Sequence, residues 1–183
     1  MANGIPNSIL HLSETVFPWW SSLQLSERIG TVGEPETFRT VNGRFVVADT
    51  DPLDLWKVEL SASGNGTVFM PSFDGWYVGR ETIVDCLTYF TAHILPGGTS
   101  VVLARNAVPE YVLARTEQTN MPVPVNYDPA TRTVTIPVGL PEPVAVMYRV
   151  RLVCVCTKLP STETSVQTGT QGWEIAFEEQ GDL

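Results

Sequence analysis

Residues 144–156 read Val-Ala-Val-Met-Tyr-Arg-Val-Arg-Leu-Val-Cys-Val-Cys, and this stretch decides the fold class. Val144, Val146, Tyr148, Val150, Leu152, Cys154 and Cys156 recur at every second residue, with Arg149 and Arg151 in the opposite register. Side chains of an extended backbone alternate between two sides, so this period places the apolar set on one face of a strand. A strand this long and this apolar on one side belongs in the middle of a sheet.

Upstream, strand-like runs alternate with tight turns. Thr37–Val41 and Arg44–Ala48 flank Asn42-Gly43, the strongest hairpin signal in the chain. Leu55–Ala62 and Thr67–Phe69 flank Gly64-Asn65-Gly66. In the first of these runs Leu55, Lys57, Glu59 and Ser61 alternate with Trp56, Val58, Leu60 and Ala62, the signature of a half-buried strand. Thr82–Leu95 carries a helix-like stripe at Ile83, Leu87, Phe90 and Ile94. Its β-branched and aromatic content and the following Pro96-Gly97-Gly98 favour a strand, with Thr99–Ala104 as hairpin partner. Tyr111–Thr116 reads as a short strand or as a helix started at Pro109. Asn126–Tyr127 and Arg132–Ile136 bracket an Asp128-Pro129 turn.

The pattern predicts an all-β protein: a single antiparallel β-sandwich of about eight strands, of jelly-roll type. The sandwich occupies residues 37–158, between an N-terminal arm (1–36) and a C-terminal arm (159–183). The N-terminal arm holds Phe17-Pro18-Trp19-Trp20, a cluster too apolar to stand in water. In the C-terminal arm Trp173, Ile175 and Phe177 alternate, as a docked arm or an edge strand would.

The 183 residues are 43% hydrophobic, enough to bury a full core. Only 17% are charged, and Lys57 and Lys158 are the only lysines, a composition that suits a surface covered by neighbours or reflects compositional drift alone. The net charge of −9 argues against a nucleic-acid footprint, which needs clustered cations. No apolar run is long enough to span a bilayer, and residues 1–20 lack the charged start and apolar centre of a signal peptide. Cys86, Cys154 and Cys156 cannot all pair within one chain, so inert buried thiols in a reducing compartment are expected.

Catalytic residues are scarce, and no enzyme activity and no cofactor are expected. His11 and His93 are the only histidines. Cys86, His93 and Asp85 form a triad only on paper, because Cys86 sits mid-strand in apolar company that would keep its thiol protonated. Cys154 and Cys156 lack the further paired ligands of a zinc site. Asp49, Asp51 and Asp54 are a candidate for a hard cation such as calcium, against the plainer reading of an acidic turn at Asp51-Pro52. Asn65-Gly66-Thr67 matches a glycosylation triplet that a hairpin turn also produces. Trp76 and Tyr77, with Asp74 nearby and Gly75 and Gly79 on either side, are candidates for stacking on a sugar ring. The competing reading has Trp76 plugging one end of the core.

The order of parts resembles the jelly-roll capsid proteins of small icosahedral picorna-like RNA viruses. A proline-broken, tryptophan-bearing arm (Asn3–Pro35) precedes the strands, which end in Val144–Cys156 and a further arm, Ser161–Leu183. The resemblance implies a self-assembling coat subunit of an icosahedral shell, assembled in the host cytoplasm and resident in the virion. Its partners would be other copies of itself and related capsid subunits, with a host receptor or glycan outside. Phe17, Trp19, Trp20, Trp173 and Phe177 would then lie in arms that reach neighbouring subunits. The alternative is a ligand- or glycan-binding β-sandwich, a fibre tip or receptor-binding domain using Trp76 and Tyr77.

Overall fold

The structure, a computed structural model, describes residues 11–12, 25–32, 37–39, 41–42, 45–47, 55–65, 72–165 and 170–180. These residues form strands and turns and contain no helix. In chain order the strands are β1 (His11–Leu12), β2 (Leu25–Thr31), β3 (Thr37–Arg39), β4 (Phe45–Val47) and β5 (Trp56–Asn65). β6 (Glu81–Ile94), β7 (Ser100–Val102), β8 (Ala107–Thr116) and β9 (Pro122–Val123) follow. The series closes with β10 (Asn126–Asp128), β11 (Thr133–Thr135), β12 (Val144–Ser165) and β13 (Thr170–Glu179). The registered pairings are antiparallel, so the protein is all-β as its alternation predicts.

The chain divides into two compact units. Unit 1 comprises Met1–Phe17 and Ile83–Leu152; unit 2 comprises Pro18–Thr82 and Val153–Leu183. The chain passes from one to the other inside β6 and inside β12.

In unit 1 the strand order is β1-β6-β12-β8-β9, with a smaller sheet β10-β11-β7. The inward row of β12, from Val144 through Val146, Tyr148, Val150 and Leu152, is buried throughout. Val134 and Ile136 from the β11 segment, Leu103 after β7, and Val84 and Cys86 of β6 join the same apolar core. The hydroxyl of Tyr127 on β10 accepts the amide N–H of Ala107 on β8, tying the small sheet to the large one in a sandwich-like arrangement. Each fully buried Val or Leu adds about 1.5–3 kcal/mol of hydrophobic stabilisation.

The segment expected to be helix or strand, Thr82–Leu95, is strand β6. Its expected hairpin with Thr99–Ala104 does not form: β7 pairs with β11 instead, Val101 opposite Val134. The turn causes this. Gly97 takes a positive φ of 78° and donates its N–H to Leu140 O at 2.7 Å, which leads the chain away from β6. Tyr111–Thr116 falls within strand β8, so Pro109 starts no helix.

In unit 2 the order is β12-β13-β5-β2, with residues 153–165 of β12 taking part. β13 is paired on both sides, Trp173 with Thr162 and with Ala62, so it is an interior strand rather than an edge. Leu25–Thr31, inside the stretch read as an arm, pairs with β5, Ile29 opposite Val58. β12 runs on through Pro160, and its register shifts between Cys156 and Lys158 and between Lys158 and Ser161. Proline offers no N–H to a ladder, and a register break is where a strand accommodates it. The hairpin β3–β4 forms with Phe38 opposite Val46, around the turn at Val41 and Asn42.

Candidate functional site

Of the residues expected to touch neighbouring subunits, Trp173 (3% exposed) and Phe177 (fully buried) lie in the core of unit 2. They are held there because β13 is flanked by β12 and β5, so they are not available to a neighbour. Phe17, Trp19 and Trp20 lie outside the described residues, as do Asp49, Asp51 and Asp54. Among the described residues no cluster of three or more His, Cys, Asp or Glu is placed to hold a metal.

The aromatic candidate is built by the segment preceding β6. Gly75 and Gly79 take positive φ of 78° and 92°, which fold residues 72–80 into successive turns. Arg80 Nη1 donates to Gly75 O at 2.9 Å, and Ser72 Oγ donates to Asp74 Oδ2 at 2.9 Å. Gly79 N donates to Cys156 O at 2.8 Å and Cys156 N to Arg80 O at 2.9 Å, which anchors the segment on β12. Trp76 packs edge-on against Phe73 (5.6 Å) and Phe177 (5.9 Å), and Phe73 lies 6.0 Å from Trp173. The Arg80 guanidinium sits over the Trp76 ring, 4.9 Å from its centroid. Trp76, half-buried, therefore packs between the loop and the sheet. Tyr77 beside it is 62% exposed.

The outward face of the unit 2 sheet is polar. Across the strands Arg28 stands opposite Glu59, and Lys57 opposite Glu178. Lys57 Nζ and Glu59 Oε1 are 2.9 Å apart, and this hydrogen bond raises the lysine's pKa and lowers the glutamate's. Lys158 pairs with Glu174, whose carboxyl is held below its ordinary range by that bond and by Ser161. Shallow grooves of about 340 and 300 Å³ run between these side chains and share Arg28 and Glu59. Both lysines of the chain sit here, already engaged with carboxylates.

Unit 1 presents a different outward face. Val112 pairs with Tyr148 but Ala107 with Val150, so residues 108–111 of β8 stand opposite Arg149 alone. This wide bulge brings Tyr111 over Arg149, the guanidinium 4.1 Å from the ring centroid, and Arg149 is 2% exposed. Its Nε donates to Cys86 O at 2.6 Å and Nη2 to Asp85 O at 3.4 Å. Beside it the Asp85 carboxylate takes Arg151, and the hydrogen bond with Asp85 raises the Arg151 pKa. Around these groups the face turns apolar: Leu113 opposes Met147, and Tyr89 and Leu113 are 47% and 51% exposed.

Of the paper triad, each member is occupied elsewhere. Asp85 binds Arg151, His93 Nδ1 lies 2.5 Å from Glu117 Oε1, and Cys86 is fully buried. Glu142 accepts the N–H groups of Gln118 and Thr119 and the Thr119 hydroxyl, which hold its carboxyl below the ordinary range, the hydroxyl foremost. Burial pushes the Cys154 thiol up to about 12 and also raises Cys156.

Sequence reasoning assigned Arg149 and Arg151 to the outer side of β12 and overlooked the apolar groups around them. The available signal was the unbroken apolar run Tyr111–Ala114 beside Ala145 and Met147, which offers both faces of two strands for covering. Comparisons with protein-family models, curated protein sequences and solved structures find no match to this chain.

Proposed function

We propose that this protein is a structural, self-assembling β-protein, and that it serves as a capsid subunit of jelly-roll type in a virion. The partition of charge carries the reading. Unit 2 holds fourteen acidic and six basic residues, whereas unit 1 holds six and five, so all but one of the nine net negative charges fall on unit 2. Unit 1 nevertheless exposes large apolar side chains, Tyr89, Leu95, Leu113 and Val138 among them. A lightly charged surface with bare apolar groups suits contact between subunits better than contact with water. Its partners are other copies of the chain and related coat subunits, and its place is the virion. Negative-stain microscopy of the purified chain tests this: closed particles or rings support it, and a uniform field of single subunits at high concentration refutes it.

A second reading, a glycan-binding module, draws on Tyr77, exposed on a loop pinned by the Arg80–Gly75 hydrogen bond. A glycan array probed with the wild type and Tyr77→Ala separates the two: loss of a specific glycan signal in the variant supports binding.

A further inference from the structure

We propose that the outward face of the unit 1 sheet, centred on Leu113, Met147 and Tyr89, is the contact through which one copy of this chain binds a second; the inference rests on the assembly reading above. Leu113 on β8 and Met147 on β12 are opposed in register, and Leu113 is 51% exposed. Tyr89 on β6 is 47% exposed and shares the outward parity of Asp85, which meets Arg151 on that face. Three neighbouring strands thus carry apolar groups on the side where a lone sandwich carries polar ones. Most of the charged groups on that face meet partners within the chain. Asp85 binds Arg151, Glu110 adds to the negative field at Arg151, and Arg149 lies under Tyr111. Arg115 donates to Asn120, and His93 meets Glu117.

Charge selects the occupant. A basic partner would be drawn to unit 2, which holds eight of the nine net negative charges. Two copies of the same acidic chain repel most strongly through unit 2 and least through unit 1, where one negative charge meets one. A copy of this chain is therefore the partner that fits a near-neutral apolar face on an otherwise acidic molecule. The same patch then meets itself across a two-fold axis.

The test is sedimentation velocity on the full chain over a concentration series, for the wild type, Leu113→Asp, Leu113→Gln and the unit 2 control Val41→Asp, at the exposed turn between β3 and β4. The wild type and the control are expected to associate alike, and both Leu113 variants to need at least tenfold more protein. A Leu113→Cys variant adds an independent readout. The native cysteines are buried, so a short bismaleimide should link two copies through position 113. Assembly that persists in both Leu113 variants, or no cross-link between associated copies, overturns this interface and leaves the assembly reading standing. A wild type that stays monomeric throughout overturns both. So does a monomer whose Leu113 face binds phosphatidylcholine vesicles instead.

Discussion

The guanidinium of Arg151 grips the carboxylate of Asp85 through two parallel hydrogen bonds, Nε to Oδ1 at 2.6 Å and Nη2 to Oδ2 at 2.9 Å. The pair joins two strands whose residues lie 66 positions apart in sequence. Asp85 is buried while Arg151 remains partly exposed, so removing the acid leaves a cation that water can still reach. Asp85→Asn is expected to cost about 1–3 kcal/mol, read as a lower urea midpoint with an unchanged slope.

Arg149 is the more severe case. Its guanidinium supplies a donor to the Cys86 carbonyl and fills the space beneath Tyr111. Arg149→Ala removes that donor and opens a void, and is expected to cost about 3–5 kcal/mol. Arg149→Lys keeps the charge but loses the planar stack, and should recover only part of it. Equal stability of the wild type and Arg149→Ala would show that the bulge needs no arginine.

The thiols should be silent in the folded protein. Cys86, Cys154 and Cys156 are buried, and burial holds Cys154 protonated up to about pH 12. Ellman's reagent at pH 8 is expected to find no thiol in the native chain and three in urea. Rapid native labelling of even one would contradict the packing described.

Acid should weaken the fold. Glu59, Glu142 and Glu174 all have carboxyls lowered by hydrogen bonds in the folded state. A lowered folded pKa contributes stability that is fully present above the unfolded value, about 4.3, and is lost as pH falls through the folded value. Urea midpoints should therefore be flat near neutrality and drop below about pH 4.5. Glu142→Gln should lose part of that acid dependence. A midpoint that rises on acidification would reverse the assigned sign.

Much of the β architecture was legible because its signals are local. The alternation in Val144–Cys156 placed β12 centrally, and Asn42-Gly43 and Asp128-Pro129 marked hairpins that form. What escaped was set by distant partners. Whether β7 pairs with β6 or β11 depends on where Gly97 meets Leu140, and no local period encodes that. Trp173 and Phe177 looked like the dressing of an arm, because a strand inserted between β12 and β5 reads the same in sequence as one lying on a neighbour. Arg149 lies opposite the apolar row by parity, and the bulge at 108–111, with Tyr111 over the guanidinium, helps to bury it. Of the candidate ligand residues, Trp76 reads in sequence both as platform and as plug, and in the structure it is half-buried against Phe73 and Phe177.

Removing the final strand should be fatal rather than merely disassembling. A chain ending at residue 165 strips β5 and the second half of β12 of a shared neighbour and bares Trp173's former partners. It is expected to lose cooperative unfolding by circular dichroism. A truncated chain that still melts cooperatively would restore β13 to the status of a detachable arm.

Self-association underlies the proposed function, and molar mass by light scattering against protein concentration reads it without a label, at about 0.15 M salt and again at 1 M. The mass is expected to climb above the 20.1 kDa subunit, and to climb sooner at high salt because screening weakens the repulsion between copies that each carry a net charge of −9. A mass fixed at one subunit in both salts, up to the solubility limit, would contradict it.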